Sequence, residues 1–200
     1  MDTKNELNLR ELFRDATVKR PRDLQAGGLN RVRLAAALRA GAVERLGRGL
    51  YRLQDSPVSE KHSLVLATKR VPRGVICLLS ALRFHELTTQ NPHEVWMALP
   101  QHSWRPTEDS QPLRLIWLSP KSFSTGIETH VIEGLSVPVY SVAKTVADCF
   151  KYRNKIGLEV ALEALREAWS KKHCTMDELM AAARLCRVAN VMRPYLESLT

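Results

Sequence analysis

Asn30-Arg31-Val32-Arg33-Leu34-Ala35-Ala36-Ala37-Leu38-Arg39-Ala40-Gly41 is followed by Ala42-Val43-Glu44-Arg45-Leu46-Gly47-Arg48-Gly49-Leu50-Tyr51-Arg52-Leu53-Gln54, and these residues decide how the front of the chain folds. Asn30 is a strong N-cap, because its side-chain oxygen can accept from an orphan N–H of the first turn. The Ala/Leu/Arg run behind it has high helix propensity, and Gly41 supplies a stop. This predicts a helix from Asn30 to Ala40. Ala42–Leu46 and Leu50–Gln54 then read as short strands joined through Gly47-Arg48-Gly49, a connection rich enough in glycine for the positive φ of a tight hairpin.

Two more helices are expected upstream. Asn5–Asp15 places Leu7, Leu9, Leu12 and Phe13 among charges. Pro21 can open a short helix over Arg22–Ala26, which Gly27-Gly28 breaks. Helix, helix, helix, hairpin is the element order of a winged helix-turn-helix, expected over residues 1–55. In such a domain one face of the third helix packs inward and the other meets base edges. Leu34, Ala37 and Leu38 share the inward arc. Val32, Ala36 and Arg39 lie opposite, with Arg33 and Ala35 on the flanks. Small apolar side chains on an outer face suit close approach to a groove and to thymine methyls. Asn30, Arg31 and Arg33 carry the chemistry for adenine and guanine edges, at a helix end that also attracts phosphate. Arg48 stands at the hairpin tip with Arg45 and Arg52 flanking, placed to enter a minor groove or follow the backbone. Lys19, Arg20 and Arg22 are expected phosphate contacts. A solvated basic surface is the ordinary explanation for any one of these arginines; the set, in this element order, carries the expectation of double-stranded DNA as partner.

Charge distribution agrees. The 200 residues carry a net charge of +9. Residues 1–54 hold 12 Lys/Arg against 6 Asp/Glu, whereas residues 55–200 hold 18 against 15. A dense basic front end repels itself and is best explained by a polyanionic partner. At 44% hydrophobic the chain can bury a proper core. Cys77, Cys149, Cys174 and Cys186 form no C-x-x-C pair and read as reduced, buried thiols. The charged start of the sequence lacks a signal-peptide core, and no apolar run approaches the ~20 residues of a membrane span. A soluble cytoplasmic protein without membrane association is expected.

Asp55-Ser56-Pro57-Val58-Ser59 reads as a linker. Behind it, helices are expected near Glu60–Arg70 and Ile76–Leu87, strands at Glu94–Leu99 and Leu113–Leu118, and a hairpin of Ile127–Glu133 and Leu135–Tyr140 turning at Gly134. Ser141 can cap a helix to about Tyr152. Leu158–Lys171 has a strong 3.6 period, and Thr175-Met176-Asp177-Glu178 is a capping box opening a helix to about Arg187. A last helix covers Ala189–Leu199, with Pro194 as an irregularity. The fold class is therefore α+β: an N-terminal winged helix-turn-helix, then a mixed α/β domain over residues 60–200 with a helical final third.

Several longer segments carry a family resemblance: Arg45-Leu46-Gly47-Arg48-Gly49-Leu50-Tyr51-Arg52-Leu53, Cys77 through Gln90 (CLLSALRFHELTTQ), Pro92-His93-Glu94-Val95-Trp96, and Ser141 through Arg153 (SVAKTVADCFKYR). Their ordered combination, over about residues 20 to 198, resembles AbiEi-type antitoxins, the DNA-binding members of type IV toxin–antitoxin systems. That resemblance implies a winged helix that represses its own operon, a C-terminal antitoxin domain, and a nucleotidyltransferase-like toxin as functional partner, with or without direct contact. A different reading stays open, in which the C-terminal domain binds a protein partner directly and the winged helix is accessory.

Other constellations are weaker. His85, His93 and His102 with Cys77 match no compact zinc spacing, and His85 reads as a packing histidine. Lys144 and Asp148, at i and i+4, read as a surface ion pair; a basic face of Lys144, Lys151 and Arg153 is the sharper alternative. Glu94, Glu128 and Glu133 make no D-x-D or (D/E)-x-K set, and no P-loop or G-x-S-x-G is present. No enzyme activity, metal or cofactor is expected. Trp96, Trp117 and Trp169 read as core, and Trp104, in a polar loop, as an interface residue.

Overall fold

The structure, a computed structural model, describes residues 9–57, 59–106 and 112–199, and its architecture is mixed α+β. The chain divides into two compact units. One comprises Met1–Pro72 with Pro106–Pro112 and His130–Val137; the other comprises Arg73–Arg105, Leu113–Thr129 and Pro138–Thr200.

In the first unit residues 9–12 are helical; residues 5–8 of the expected first helix lie outside the described residues. Helices α1 (Pro21–Ala26) and α2 (Arg31–Arg39) follow, then the antiparallel pair β1 (Val43–Gly47) and β2 (Leu50–Leu53). Lys19 and Tyr51 exchange two backbone hydrogen bonds, of 2.9 and 3.0 Å, which lay the chain ahead of α1 along β2. Leu9, Phe13, Leu24, Leu29, Leu34, Ala37, Val43 and Leu53 form a core cluster drawn from the first helical residues through β2. Of the two tip glycines Gly49 alone takes a positive φ, +69°. Helix α3 (His62–Arg70) follows in the same unit.

The boundary differs from the expected break between residues 55 and 60. The Arg20 guanidinium donates to the Lys69 carbonyl, and Lys69 Nζ stands 3.6 Å from Asp23. These contacts draw α3 into the front unit, and a proline-containing connector gives no sign of such bonds.

The second unit is built on a mixed five-stranded sheet of order β5-β4-β3-β7-β6, from β3 (Val75–Ile76), β4 (Val95–Pro100), β5 (Leu113–Leu118), β6 (Ile127–Ile132) and β7 (Leu135–Tyr140); the tip of the β6–β7 hairpin belongs to the first unit. Strand β3 runs antiparallel to β4 and parallel to β7. It corrects the expected helix over Ile76–Leu87: Val75-Ile76 form the buried central strand, and helix α4 begins only at Leu78 and ends at Phe84. A fully buried strand has no alternation to show, so an apolar run like this one reads equally well as helix.

Helices α5 (Pro120–Ser124) and α7 (Arg153–Ile156) are additional short turns. Helices α6 (Val142–Lys151), α8 (Leu158–Ser170), α9 (Met176–Cys186) and α10 (Ala189–Glu197, with Pro194 inside) complete the unit. Helix α6 packs against α4, α8, α9 and α10, and nine of its ten residues are buried. Leu78, Leu82, Tyr140, Val146, Phe150, Leu165, Leu179 and Met192 share that core. No helix among the described residues is long and apolar enough to cross a membrane.

Candidate nucleic-acid interface

Helix α2 opens as its sequence requires: the Asn30 side chain accepts from the Arg33 N–H at 2.9 Å. The Asn30 oxygen is thereby spent on the cap, leaving its amide N–H groups for any outside contact. Leu34 and Ala37 are buried and Leu38 is half-buried, while Arg31, Val32, Arg33, Ala35, Ala36 and Arg39 are exposed. Val32 is 75% exposed, which leaves its methyl groups to water.

Across the hairpin, Glu44 pairs with Arg52 and Arg45 with Tyr51. Arg48, beside Gly49 at the tip, is exposed, as is Arg45, whose Nε donates to the Gly47 carbonyl at 3.1 Å.

The expected DNA-contacting cations thus separate into two groups. Arg22, Arg31, Arg33, Arg39, Arg45 and Arg48 are exposed. Lys19, Arg20 and Arg52 are half-buried and engaged within the unit. Lys19 Nζ lies 2.5 and 2.6 Å from the two Asp15 carboxylate oxygens. Arg20 holds the Lys69 carbonyl, and Arg52 is ion-paired with Glu44 across the strands. The hydrogen bond from Lys19 holds the Asp15 carboxyl below its usual range. Burial would raise Asp23, but the Arg20 N–H at 3.0 Å and the charge of Lys69 outweigh it, so this carboxyl is also lowered.

One strong contact set in the front unit had no sequence signature. Glu133, at φ +50° in the hairpin turn, accepts from the Ser59 N–H at 3.0 Å and the Ser59 hydroxyl at 2.8 Å through Oε1, and from His62 Nδ1 at 2.8 Å through Oε2. A carboxylate is acceptor-only, so Nδ1 carries the proton. Burial pushes Glu133 up, but these donors pull its carboxyl below the ordinary value. Next to it, Gly134 sits at φ +74°, where a Cβ would meet the Asp15 carbonyl oxygen at 1.8 Å. Glu133 is therefore a pin for the turn rather than a metal-site acid.

In the second unit the expected surface pair of Lys144 and Asp148 is corrected. Both side chains are buried, 2% and 0% exposed, and they are ion-paired to each other. Lys144 Nζ also lies 4.3 Å from the centre of the Tyr140 ring, and Cys186 Sγ donates to Asp148 at 3.1 Å. The expectation assumed one free helix face, and α6 has none.

His85 is half-buried and sits 2.7 Å from the Tyr140 carbonyl oxygen. Among the described residues no three His, Cys, Asp or Glu are placed to hold a metal ion. All four cysteines are free and buried, and burial raises the Cys77 and Cys149 thiols. Trp96 is in the core, but Trp117 is 38% exposed, its indole N–H held by the Ser103 carbonyl at 3.0 Å, and Trp104 is 95% exposed. Trp117 lies on an edge strand, β5, and is not the core residue expected.

No family model matches the chain, and no curated protein matches it. Among solved structures it is similar to the RV2827C protein from Mycobacterium tuberculosis, with 13% sequence identity, a TM-score of 0.67, and coverage of 100% of this chain and 78% of that one. At that identity the likeness is one of fold.

Proposed function

We propose that the chain is a DNA-binding transcriptional regulator of the AbiEi antitoxin type. Its front unit acts as a winged helix-turn-helix that reads the operator of its own operon. The observation that carries this reading is the outer face of α2: Arg31, Val32, Arg33, Ala35, Ala36 and Arg39 all stand in solvent beside an arginine-tipped hairpin. A face of arginine with short apolar side chains is poorly suited to water and well suited to a major groove. Arg31 and Arg33 would meet base edges, Val32 and Ala36 thymine methyls, and Arg45 and Arg48 the backbone or minor groove. Arg22 would hold phosphate, while Lys19, Arg20 and Arg52 would stabilise the domain that presents these groups.

Gel-shift titration on the DNA upstream of the chain's own reading frame tests this. A salt-sensitive complex is expected, weakened roughly 5- to 150-fold by Arg33→Ala, about 1–3 kcal/mol. Arg48→Ala should also weaken it while thermal unfolding stays unchanged. Equal affinity in both variants would sink the residue assignment, and no binding to any upstream repeat would sink the function.

The antitoxin role rests on the sequence resemblance. Co-expression with a neighbouring nucleotidyltransferase-like toxin should restore growth, and no rescue would remove that half of the reading. The alternative of a protein partner for the rear unit draws on Trp104, because an almost fully exposed indole has a large apolar area to bury. Co-purification with the adjacent gene's product, surviving high salt and lost in Trp104→Ala, would favour it.

A further inference from the structure

Strand β6 is an edge of the five-stranded sheet, and among the described residues no other strand pairs with its outer side. Its sequence is Ile127-Glu128-Thr129-His130-Val131-Ile132. Ile127, Thr129, Val131 and Ile132 are β-branched, and no Lys, Pro or Gly interrupts the strand. Proteins ordinarily guard an edge with Lys, Pro or a bulge, because its open N–H and C=O groups are a template for another strand. Five large apolar side chains are exposed among the described residues, and two of them, Ile127 at 38% and Val131 at 76%, lie on this one strand. Side chains alternate along a strand, so both share a face with Thr129, which is also exposed.

The strand is complementary to itself read backwards. Two copies joined edge to edge about a two-fold axis perpendicular to the sheet pair antiparallel, and directly opposite residues point to the same face. With the axis at Thr129, Ile127 stands opposite Val131 twice, Glu128 opposite His130 twice, and Thr129 opposite itself. One face then carries two β-branched apolar pairs, and the other carries two pairs of an acid with an imidazole. Both are kinds of cross-strand pair that stabilise sheets. Moving the axis to Glu128 sets two carboxylates against each other, and moving it to His130 sets Glu128 against Ile132; either shift loses both Ile–Val pairs. The other edge of the sheet, β5, has no such symmetry. An axis at Leu115 or Ile116 puts Arg114 opposite Ile116 or Leu118.

We propose that β6 is a self-association edge, which joins the sheet of a second copy of this chain to its own in the register centred on Thr129. The pairing runs from Ile127 to Val131, about 17 Å of strand. So short an interface makes a weak dimer that forms with rising concentration. Nothing in it depends on what α2 binds.

Sedimentation equilibrium of the full chain over a concentration series reads the association. Ile127→Glu and Val131→Lys should each weaken it roughly tenfold or more, since each change is made twice in the dimer. Ile127→Glu/Val131→Lys sets the new charges opposite each other across the axis and should restore association, a repair that a folding defect would not show. The register has its own test. All four native cysteines are buried, so Thr129→Cys supplies an exposed thiol. Its two copies would stand opposite each other with Cα atoms about 4.5–5.5 Å apart, within disulfide reach. Mild oxidation should therefore yield a covalent dimer of Thr129→Cys. Val131→Cys, whose copies would lie about 14 Å apart along the ladder, should stay uncrosslinked. A chain monomeric up to about 1 mM overturns the proposal. So does a double variant no better than the single ones, or equal crosslinking at both positions. If the chain stays monomeric while Val131→Lys releases a co-purified polypeptide, β6 serves a foreign strand and the proposal fails.

Discussion

Helices α2 and α6 are built alike and buried to opposite extents. They are nine and ten residues long, each starts behind a side-chain cap, Asn30 or Ser141, and each carries cations along its length. Six of the nine α2 residues are exposed, whereas nine of the ten in α6 are buried. In α2 the arginines therefore stay hydrated and available, while in α6 Lys144 had to bring its own counter-charge into the core. Similar local chemistry yields an exposed basic face in one place and an internal ion pair in the other. What differs is how many neighbours the topology sets around the helix.

The sharpest way to break that comparison is to remove half of the buried pair. Asp148→Ala leaves the Lys144 ammonium without its partner, and a buried ion pair broken from one side costs about 3–5 kcal/mol. Urea unfolding of the full chain should show that loss, whereas Lys144→Met/Asp148→Leu, which removes both charges, should recover most of it. A surface change such as Arg33→Ala should stay within about 0.5 kcal/mol. If Asp148→Ala cost less than about 1 kcal/mol, the pair would be hydrated in solution and the contrast with α2 would vanish.

The same contrast explains what could be read from the sequence. Local signals were legible: the Asn30 cap, the Gly41 stop, the Thr175–Glu178 capping box, and the inward arc of Leu34 and Ala37 all depend on residues within four positions of one another. Contacts over long separations were not. The ladder that makes Val75-Ile76 a central strand joins it to Ala98, Met97 and Val139, and no periodicity in residues 75–87 announces those partners. Likewise, nothing near Lys144 says that four helices enclose it. Among the basic residues, charge alone did not separate Arg48, exposed at a tip, from Arg52, whose partner Glu44 is eight positions back across a hairpin. That pairing was within reach of a strand-register argument; the Arg20 bond to Lys69, 49 residues away, was not.

Glu133 offers a smaller perturbation of a third kind, a buried charge held by hydrogen-bond donors from two neighbouring residues. Its side chain is 7% exposed and accepts from Ser59 and His62. Hydrogen bonds to a charged group contribute about 1.5–3 kcal/mol, so Glu133→Gln should destabilise by an amount in that range at neutral pH. The pH dependence has a definite sign. Burial opposes the charged form, but the His62 and Ser59 donors prevail and the folded carboxyl lies below its ordinary 4.5. An acid depressed in the folded state contributes stability that is present above its unfolded value and lost as pH falls through the folded one. Below that ordinary value the wild-type midpoint should therefore fall faster than that of Glu133→Gln. Parallel curves would mean that the turn is held by Gly134 and the backbone alone.

The smallest effect tests the division among the front-unit cations. Glu44 and Arg52 face each other in the β1–β2 register, with side chains 30% and 17% exposed. Cross-strand pairs of opposite charge contribute about 0.2–1 kcal/mol. A double-mutant cycle through Glu44→Ala and Arg52→Ala should return a coupling energy of that size in unfolding, and upstream-DNA affinity should change far less than in Arg48→Ala, four residues away. If Arg52→Ala weakened DNA binding as much as Arg48→Ala while the stability coupling was zero, the cross-strand pair would be incidental. Arg52 would then rejoin the exposed set, and partial burial would no longer distinguish cations that hold the domain together from those that leave it to meet a partner.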